Sequence, residues 1–506
     1  MASLNVTALS VFIVLFVLVT LLGFLASRWR SGDLSQIGEW GLGGRRFGNL
    51  VVWFLLGGEL YTAYTFIAVP ALMFGAGASG FFAVPYTIMV YPLMFLVFPR
   101  LWSVAHANGY VTAADFVRGR FGSRALALVI ALTGIAATMP YIALQLVGIE
   151  VVLEGLGIHG EWPLIIAFAV LAAFTYASGL RAPALIAIVK DLLIYVTVIA
   201  AIVVIPEQLG GYGKIFASIP HPKLLLGTAS ANNLGPQAAY ATLALGSALA
   251  LLLYPHAITG VFSSSSEQVI RRNAVVLPAY SFALGLIALL GYMAVASGVA
   301  SMPEFAAGFK AFGANFAVPA LFLKVFPSWF VGVAFAAIAI GALVPAAIMS
   351  IACANLFTRN VYKEYFRRDC STAHESQCAK ITSLIVKLGA LVFVIGLPPQ
   401  YAIELQLLGG ILIIQTLPSI VLGLYTRWLN PYALLLGWMA GMGIGIAMWA
   451  TLGFAKTTYS LAVFGMTIPC YAALSALLLN IIVSTVLTVP FNAIEQRRIA
   501  NCRSAG

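Results

Sequence analysis

The stretch VVWFLLGGELYTAYTFIAVPALMFGAG, Val51 to Gly77, is long and apolar enough to cross a bilayer, which takes about 20 residues of helix. It nevertheless carries a glycine pair, Gly57 and Gly58, a carboxylate, Glu59, and a proline, Pro70. Glycine and proline weaken a helix, and unwound backbone at membrane depth survives only where protein or a water-filled cavity satisfies it. A second stretch, LALGSALALLLYPHAITGVF from Leu243 to Phe262, carries Pro255 and His256 equally deep. Either break alone is ordinary, because glycine and proline are common in transmembrane helices. Matching breaks in two halves of a chain point instead to an inverted-repeat transporter with its site at the midplane.

Composition extends that reading to the whole chain. Of 506 residues, 62% are hydrophobic and 8% charged, against about 25% charged in soluble domains, and the mean hydropathy is +1.00. Hydrophobic runs fill the length, leaving no room for a folded kinase, nuclease or nucleotide-binding module. The net charge of +11 reads as the positive-inside bias of membrane proteins, not as nucleic-acid binding. Cys353, Cys370, Cys378, Cys470 and Cys502 lack metal-ligand spacing and read as unpaired thiols. The first run, Val6 to Ala26, is too long for a signal-peptide core and has no cleavage site after it, so it counts as a helix.

Spanning stretches lie near residues 6–27, 48–76, 80–104, 124–154, 163–179, 183–206, 237–262, 275–299, 328–357, 381–398, 402–426, 431–453 and 465–490, thirteen in all. The cationic residues between them alternate. Every arginine, from Arg28 and Arg30 through Arg181 and Arg359 to Arg503, falls on one set of loops, which holds 20 cationic residues. The other set holds five: Lys214, Lys223, Lys310, Lys324 and Lys456. The alternation places the N-terminus outside and the C-terminus in the cytoplasm of a bacterial inner membrane. The breaks fall in the second and seventh spans, five apart, and because five is odd the halves have opposite orientation.

Several segments together carry a resemblance. GEWGLGGRRFGNLVVW (38–53) resembles the glycine-arginine loop that precedes the first broken helix of the sodium/solute symporter family. TYASGLRAPALIAIVKDLLIY (175–195) resembles that family's glycine-glycine-hydrophobic-arginine-alanine segment leading to a threonine-aspartate pair. YPHAITGVFSSSSEQVIRRNA (254–274), NLFTRNVYKEYF (355–366) and TLPSIVLGLYTRWLNPYALLLGWMAG (416–441) resemble its seventh helix, ninth-helix end and eleventh-to-twelfth helices. Within the family the details are most similar to bacterial monocarboxylate transport permeases, which take up lactate, pyruvate and related acids. The resemblance implies an all-α membrane protein with a LeuT-like five-plus-five inverted repeat. It divides the chain into an extra helix and loop (1–46), a first repeat (47–210), a second repeat with its preceding outer loop (211–428) and two final helices with a short tail (429–506). It implies secondary active uptake of a short monocarboxylate by alternating access, with a channel or membrane sensor as the alternative of a different class; the residues show no catalytic constellation, so no enzymatic activity and no cofactor are expected.

Two positions depart from the family pattern. Family members that use sodium hold it between carbonyls of the first broken helix and hydroxyls of the ninth, and oxygen ligands suit a hard cation. Counting back from TRNVYK puts Val344 and Pro345 where those hydroxyls belong, and GALVPAA has none; Ser350 is more than a turn away. Lys190 stands where the family has threonine, beside Asp191. An ammonium at membrane depth must be paired or lose its proton, and intramembrane ionisable groups are functional candidates by default. A lysine on this same core helix fills the vacated sodium position in a proton-coupled branch of transporters with this fold, so the resemblance implies H+ as coupling ion, with Na+ the alternative. The competing readings are that Lys190 snorkels to the interface, about 13 Å away over nine residues, or is neutralised permanently by a partner. Adjacent helix residues diverge by about 100°, so a tight Lys190–Asp191 pair is not expected. Glu59, at the glycine break, is expected either to pair with Lys190 or relay a proton, or to cap freed amides.

For an anionic substrate, half-helix N-termini at Gly57 and Gly58 are expected to supply positive dipole ends, followed by Thr62 and Thr65. Tyr141 and Gln145 lie one turn apart on one helix face, and Tyr254 and His256 flank the second break. A lone buried histidine can equally be structural. Glu150, Glu154 and Glu404 read as interfacial, and Lys387 as a lysine snorkelling to the cytoplasmic side. No arginine is available to the cavity, so the carboxylate specificity rests on the resemblance. The expected partners are the small substrate and membrane lipid, with no nucleic acid, metal or obligate protein partner.

Overall fold

A computed structural model describes residues 4–29, 32–160, 162–227, 233–395 and 402–504. Arg30 and the last three residues of the expected 381–398 span lie outside them. Nearly everything described is helical. Among the described residues, 12 helical stretches are long and apolar enough to cross a membrane. The difference from thirteen has identifiable sources. Asn49–Gly58 and Trp162–Ser178 are apolar but shorter, Tyr64–Asn108 joins the second half of one expected span to the next, and Pro303–Val325, expected as outer loop, qualifies by composition.

The helices that position the site are α1 (Val6–Leu25), α2 (Asn49–Gly58), α3 (Val69–Ala76), α4 (Ala83–Asn108), α5 (Ala113–Phe121), α6 (Arg124–Gly155), α7 (Trp162–Ser178) and α8 (Arg181–Gln208). They continue with α9 (Gly235–Leu253), α10 (Pro255–Phe262), α11 (Glu267–Val276), α12 (Pro278–Ala288), α13 (Leu290–Ser297), α14 (Ala317–Val325), α15 (Ser328–Leu356), α16 (Thr372–Ile395), α17 (Ala402–Ile413), α18 (Pro431–Thr451) and α19 (Ala472–Ser504). Both expected breaks are present. After α2 the chain unwinds through residues 59–62 and resumes at Ala63, continuing as a π-helical turn, Tyr64–Ala68, that runs into α3. Between α9 and α10 a single residue, Tyr254, is extended at φ −58° and ψ 136°. Pro255 then takes the first position of α10, where its missing N–H costs nothing.

The axis of the molecule is α15, which packs on α1, α6, α8, α10 and α16 and is buried along nearly its whole length. The alanines and glycines of FAAIAIGALVPAA let those neighbours approach it from several sides. Loops that bear arginine meet one another at one end of the bundle. Arg181 and Arg46 both pair with Glu39, Arg359 reaches Asp115 at 3.4 Å and Glu375 at 3.0 Å, and Arg120 donates to the carbonyls of Gly423 and Thr426.

The last expected span, 465–490, begins differently. Thr458–Val463 and Met466–Tyr471 form an antiparallel hairpin, and the helix starts at Ala472. Phe464 and Gly465 both have positive φ at its turn, and the β-branched, aromatic run around them suits paired strands.

Candidate functional site

Helix α8 lies along α2, and its fully buried Lys190 reaches the end of α2. Lys190 Nζ donates to the carbonyls of Gly58, at 2.7 Å, and Tyr61, at 3.2 Å. A helix C-terminus leaves carbonyls unsatisfied and carries partial negative charge, so a cation is stabilised there. Asp191 Oδ1 lies 2.7 Å from the same ammonium, and Asp191 Oδ2 accepts from the Tyr280 hydroxyl at 2.7 Å. The expectation that neighbours on a helix diverge too far to pair is therefore corrected: the two side chains leave the backbone apart, but the long lysine stem brings Nζ back to the carboxylate. The glycine pair makes this packing feasible. A Cβ on Gly58 would sit 2.9 Å from Lys190 Nζ, and one on Gly57 would sit 2.2 Å from the Tyr280 ring.

The positive end of the break is displaced from Gly57 and Gly58, which terminate α2 and present carbonyls, correcting the expectation that half-helix N-termini lie there. The freed amides come later. Gln145 Oε1 accepts from Ala63 N at 3.1 Å and Thr62 Oγ1 from Tyr64 N at 3.1 Å, while the Thr65 hydroxyl donates to the Leu60 carbonyl. Gln145, Thr62 and Thr65 thus hold the unwound segment in shape. Tyr141, one turn before Gln145, turns to the other break: its ring centroid is 5.4 Å from Tyr254 and 5.5 Å from His256, which are 5.2 Å from each other. Tyr254 donates to the Gln406 carbonyl at 3.1 Å, fixing the break to α17. His256, the second residue of α10, is fully buried, and neither ring nitrogen has a hydrogen-bond partner among the described residues.

Val344 and Pro345 are buried in α15. This helix passes beside the carbonyls that hold Lys190, since a Cβ on Gly341 would lie 3.6 Å from the Tyr61 oxygen. Over Gly341–Pro345 it offers no hydroxyl. Ser350 is engaged elsewhere, donating to Ala347 O at 2.8 Å and receiving Ser383 at 3.2 Å. Ser383 in turn accepts from Lys387 Nζ at 2.8 Å. Lys387 is fully buried, so the snorkelling expectation is corrected: its face of α16 is turned to α15, and the serine one turn earlier gives the amine a closer partner than the interface.

Glu59 is 3% exposed, and its Oε1 has no hydrogen-bond partner among the described residues. It lines a cavity of about 30 Å³ with Leu56, Tyr91, Leu251 and Ala257, enough for a water molecule. A cavity of about 20 Å³ lies on the other side of the second break, bounded by Gly134, Pro255, Thr259 and Thr416. Tyr280 and Tyr91 are the residues that sequence reasoning missed. Tyr91 precedes Pro92 and Tyr280 follows Pro278 by two residues, both in apolar runs, and nothing in either run shows which way the tyrosine faces.

The arrangement is a cation tethered at the carbonyl end of one broken helix, with aromatic and imidazole groups gathered at the other. A family model described as sodium:solute symporter family matches residues 40–442. A monocarboxylate transport permease protein of Rhizobium johnstonii is 56% identical over 485 residues, 96% of each chain. An uncharacterized symporter of Bacillus subtilis, YodF, is 34% identical over 457 residues, 88% of each. A Na+-coupled sialic acid symporter, solved in a substrate-bound outward-open state, superposes with a TM-score of 0.76 over 95% of this chain and 97% of its own at 14% identity, which shows a shared fold. Family and fold are those of transporters, and the chain belongs to the sodium:solute symporter family.

Proposed function

We propose that this protein is a secondary active transporter that brings short monocarboxylates such as lactate, pyruvate or acetate across the bacterial inner membrane by alternating access, coupled to protons instead of sodium. The observation that carries the coupling is the Lys190 ammonium on the Gly58 and Tyr61 carbonyls. It stands where the family resemblance expects sodium, opposite a stretch of α15 that has no hydroxyl. The monocarboxylate assignment draws on the name of the 56%-identical relative. The unpartnered imidazole of His256, at the N-terminal end of α10, supports it as a donor for a carboxylate. Thirteen spans with inverted repeats at 47–210 and 211–428, and an N-terminus outside, complete the proposal.

The test is uptake of labelled lactate, pyruvate or acetate by proteoliposomes under an imposed proton or sodium gradient. The expected result is accumulation driven by the proton gradient and abolished in Lys190→Ala. Accumulation driven by sodium alone, or proton-driven accumulation that survives in Lys190→Ala, contradicts the proposal.

A further inference from the structure

The ionisable groups at the first break differ in how completely they are used. Lys190 has three N–H donors, and three acceptors surround it: Gly58 O, Tyr61 O and Asp191 Oδ1. Asp191 is held in turn by the Tyr280 hydroxyl. Lysine and aspartate cancel in charge: the ammonium makes two hydrogen bonds to carbonyls, and Asp191 Oδ1 meets it as an ion pair at 2.7 Å without hydrogen-bond geometry. Removing the Lys190 proton would strand a buried carboxylate, so the pair is suited to remain as it is.

Glu59 is the opposite case. Its Oε1 is buried without a partner, facing the water-sized cavity between α2, α4, α9 and α10. The groups around it are the Lys190 ammonium from α8, the Tyr91 phenol from α4 and the Tyr141 phenol from α6, while Ala257 lines the cavity from α10 and the His256 imidazole packs against Tyr141 and Tyr254. Leu251 and Leu252 of α9 line the same cavity, and a Cβ on Gly260 of α10 would lie 3.5 Å from its Oε1. With Lys190 and Asp191 cancelling, an ionised Glu59 leaves the region one negative charge. A monocarboxylate entering beside it would then bring two like charges into a low-dielectric interior where, among the described residues, no arginine lines the cavity, an arrangement that forces one carboxyl to hold a proton.

We propose that Glu59 carries the coupled proton, and that Lys190 and Asp191 form a fixed ion pair that remains charged throughout the cycle. This rests on the reading of the substrate as a monocarboxylate anion moved with a proton. On one side of the membrane a proton passes from water to the Glu59 carboxylate, and the anion binds. On the other side the anion leaves, the proton returns to water and the carboxylate re-forms. One proton accompanies one anion, so transport is electroneutral.

The experiment measures lactate binding to the purified protein against pH, together with gradient-driven uptake in proteoliposomes. In the unmodified protein binding weakens as pH rises, approaching about tenfold per pH unit where Glu59 must be protonated to admit substrate. In Glu59→Gln that dependence disappears and gradient-driven accumulation is lost, whereas Glu59→Asp restores both in part. Difference infrared spectroscopy of the unmodified protein shows a protonated-carboxyl band appearing when lactate binds, and Glu59→Gln lacks it. Proton-driven accumulation that persists in Glu59→Gln, or lactate binding without a new carboxyl band in the unmodified protein, overturns the assignment of the proton to Glu59. Failure of the unmodified protein to accumulate lactate under a proton gradient overturns the transport reading itself.

Discussion

Lys190 and Lys387 both bury an amine among membrane-spanning helices, in contrasting surroundings. Lys190 sits in a shell of two carbonyls and a carboxylate. Lys387 has one serine hydroxyl, and no carboxylate pairs with it among the described residues. Removing one partner of a buried ion pair leaves the other charge uncompensated, at a cost of about 3–5 kcal/mol, while an amine buried without a charge partner bears a desolvation cost that an apolar side chain of similar length does not. Lys190→Met should therefore lower the apparent Tm in detergent clearly, and Lys387→Met should leave it unchanged or raised. Equal losses in the two variants would show that Lys190 has no special electrostatic role. Asp191→Asn should behave like Lys190→Met, because the two charges stand or fall together.

The first break works because its two ends have opposite polarity. The carbonyl end at Gly58 and Tyr61 holds a cation, and the amide end at Ala63 and Tyr64 is closed by oxygens from Gln145 and Thr62. A buried amide deprived of its acceptor costs about 1–3 kcal/mol. Gln145→Leu should lose roughly that stability together with most uptake, and Gln145→Glu, which keeps an acceptor, should retain more of both; indistinguishable variants would argue against this role. Local signals made the breaks legible in advance, since glycine pairs and Pro255 disrupt helix wherever they occur. Lys190 was legible too, because a charge inside an apolar run is anomalous by composition, whereas the hydroxyl-free GALVP stood out only against the family resemblance. The direction of Tyr280 and the return of Lys190 to Asp191 depend on how α2, α8 and α12 pack, which no local pattern encodes. The hairpin at 458–471 stayed hidden because a short apolar run before a long apolar helix is indistinguishable from the start of that helix.

At the scale of the molecule, the arginine-bearing loops meet at one end of the bundle, which agrees with the alternation of charge along the sequence. If that end is cytoplasmic, Cys370 and Cys378, both partly exposed beyond α15, should react with a membrane-impermeant maleimide in inside-out vesicles and not in right-side-out ones, with the other cysteines replaced by serine. The reverse pattern would invert the topology. The break after Gly58 and helix α10 both approach α15, so Lys190 and the proposed substrate groups are joined through one packed core, and a change at Lys190 should be felt at His256. The central claim is that a tethered ammonium has taken the place of sodium, and its most direct test is lactate binding to the purified protein at constant pH and ionic strength as sodium replaces an organic cation. A co-bound sodium would tighten lactate binding by linkage. The account predicts a Kd independent of sodium over the whole range, whereas a Kd that falls steadily with added sodium would contradict it.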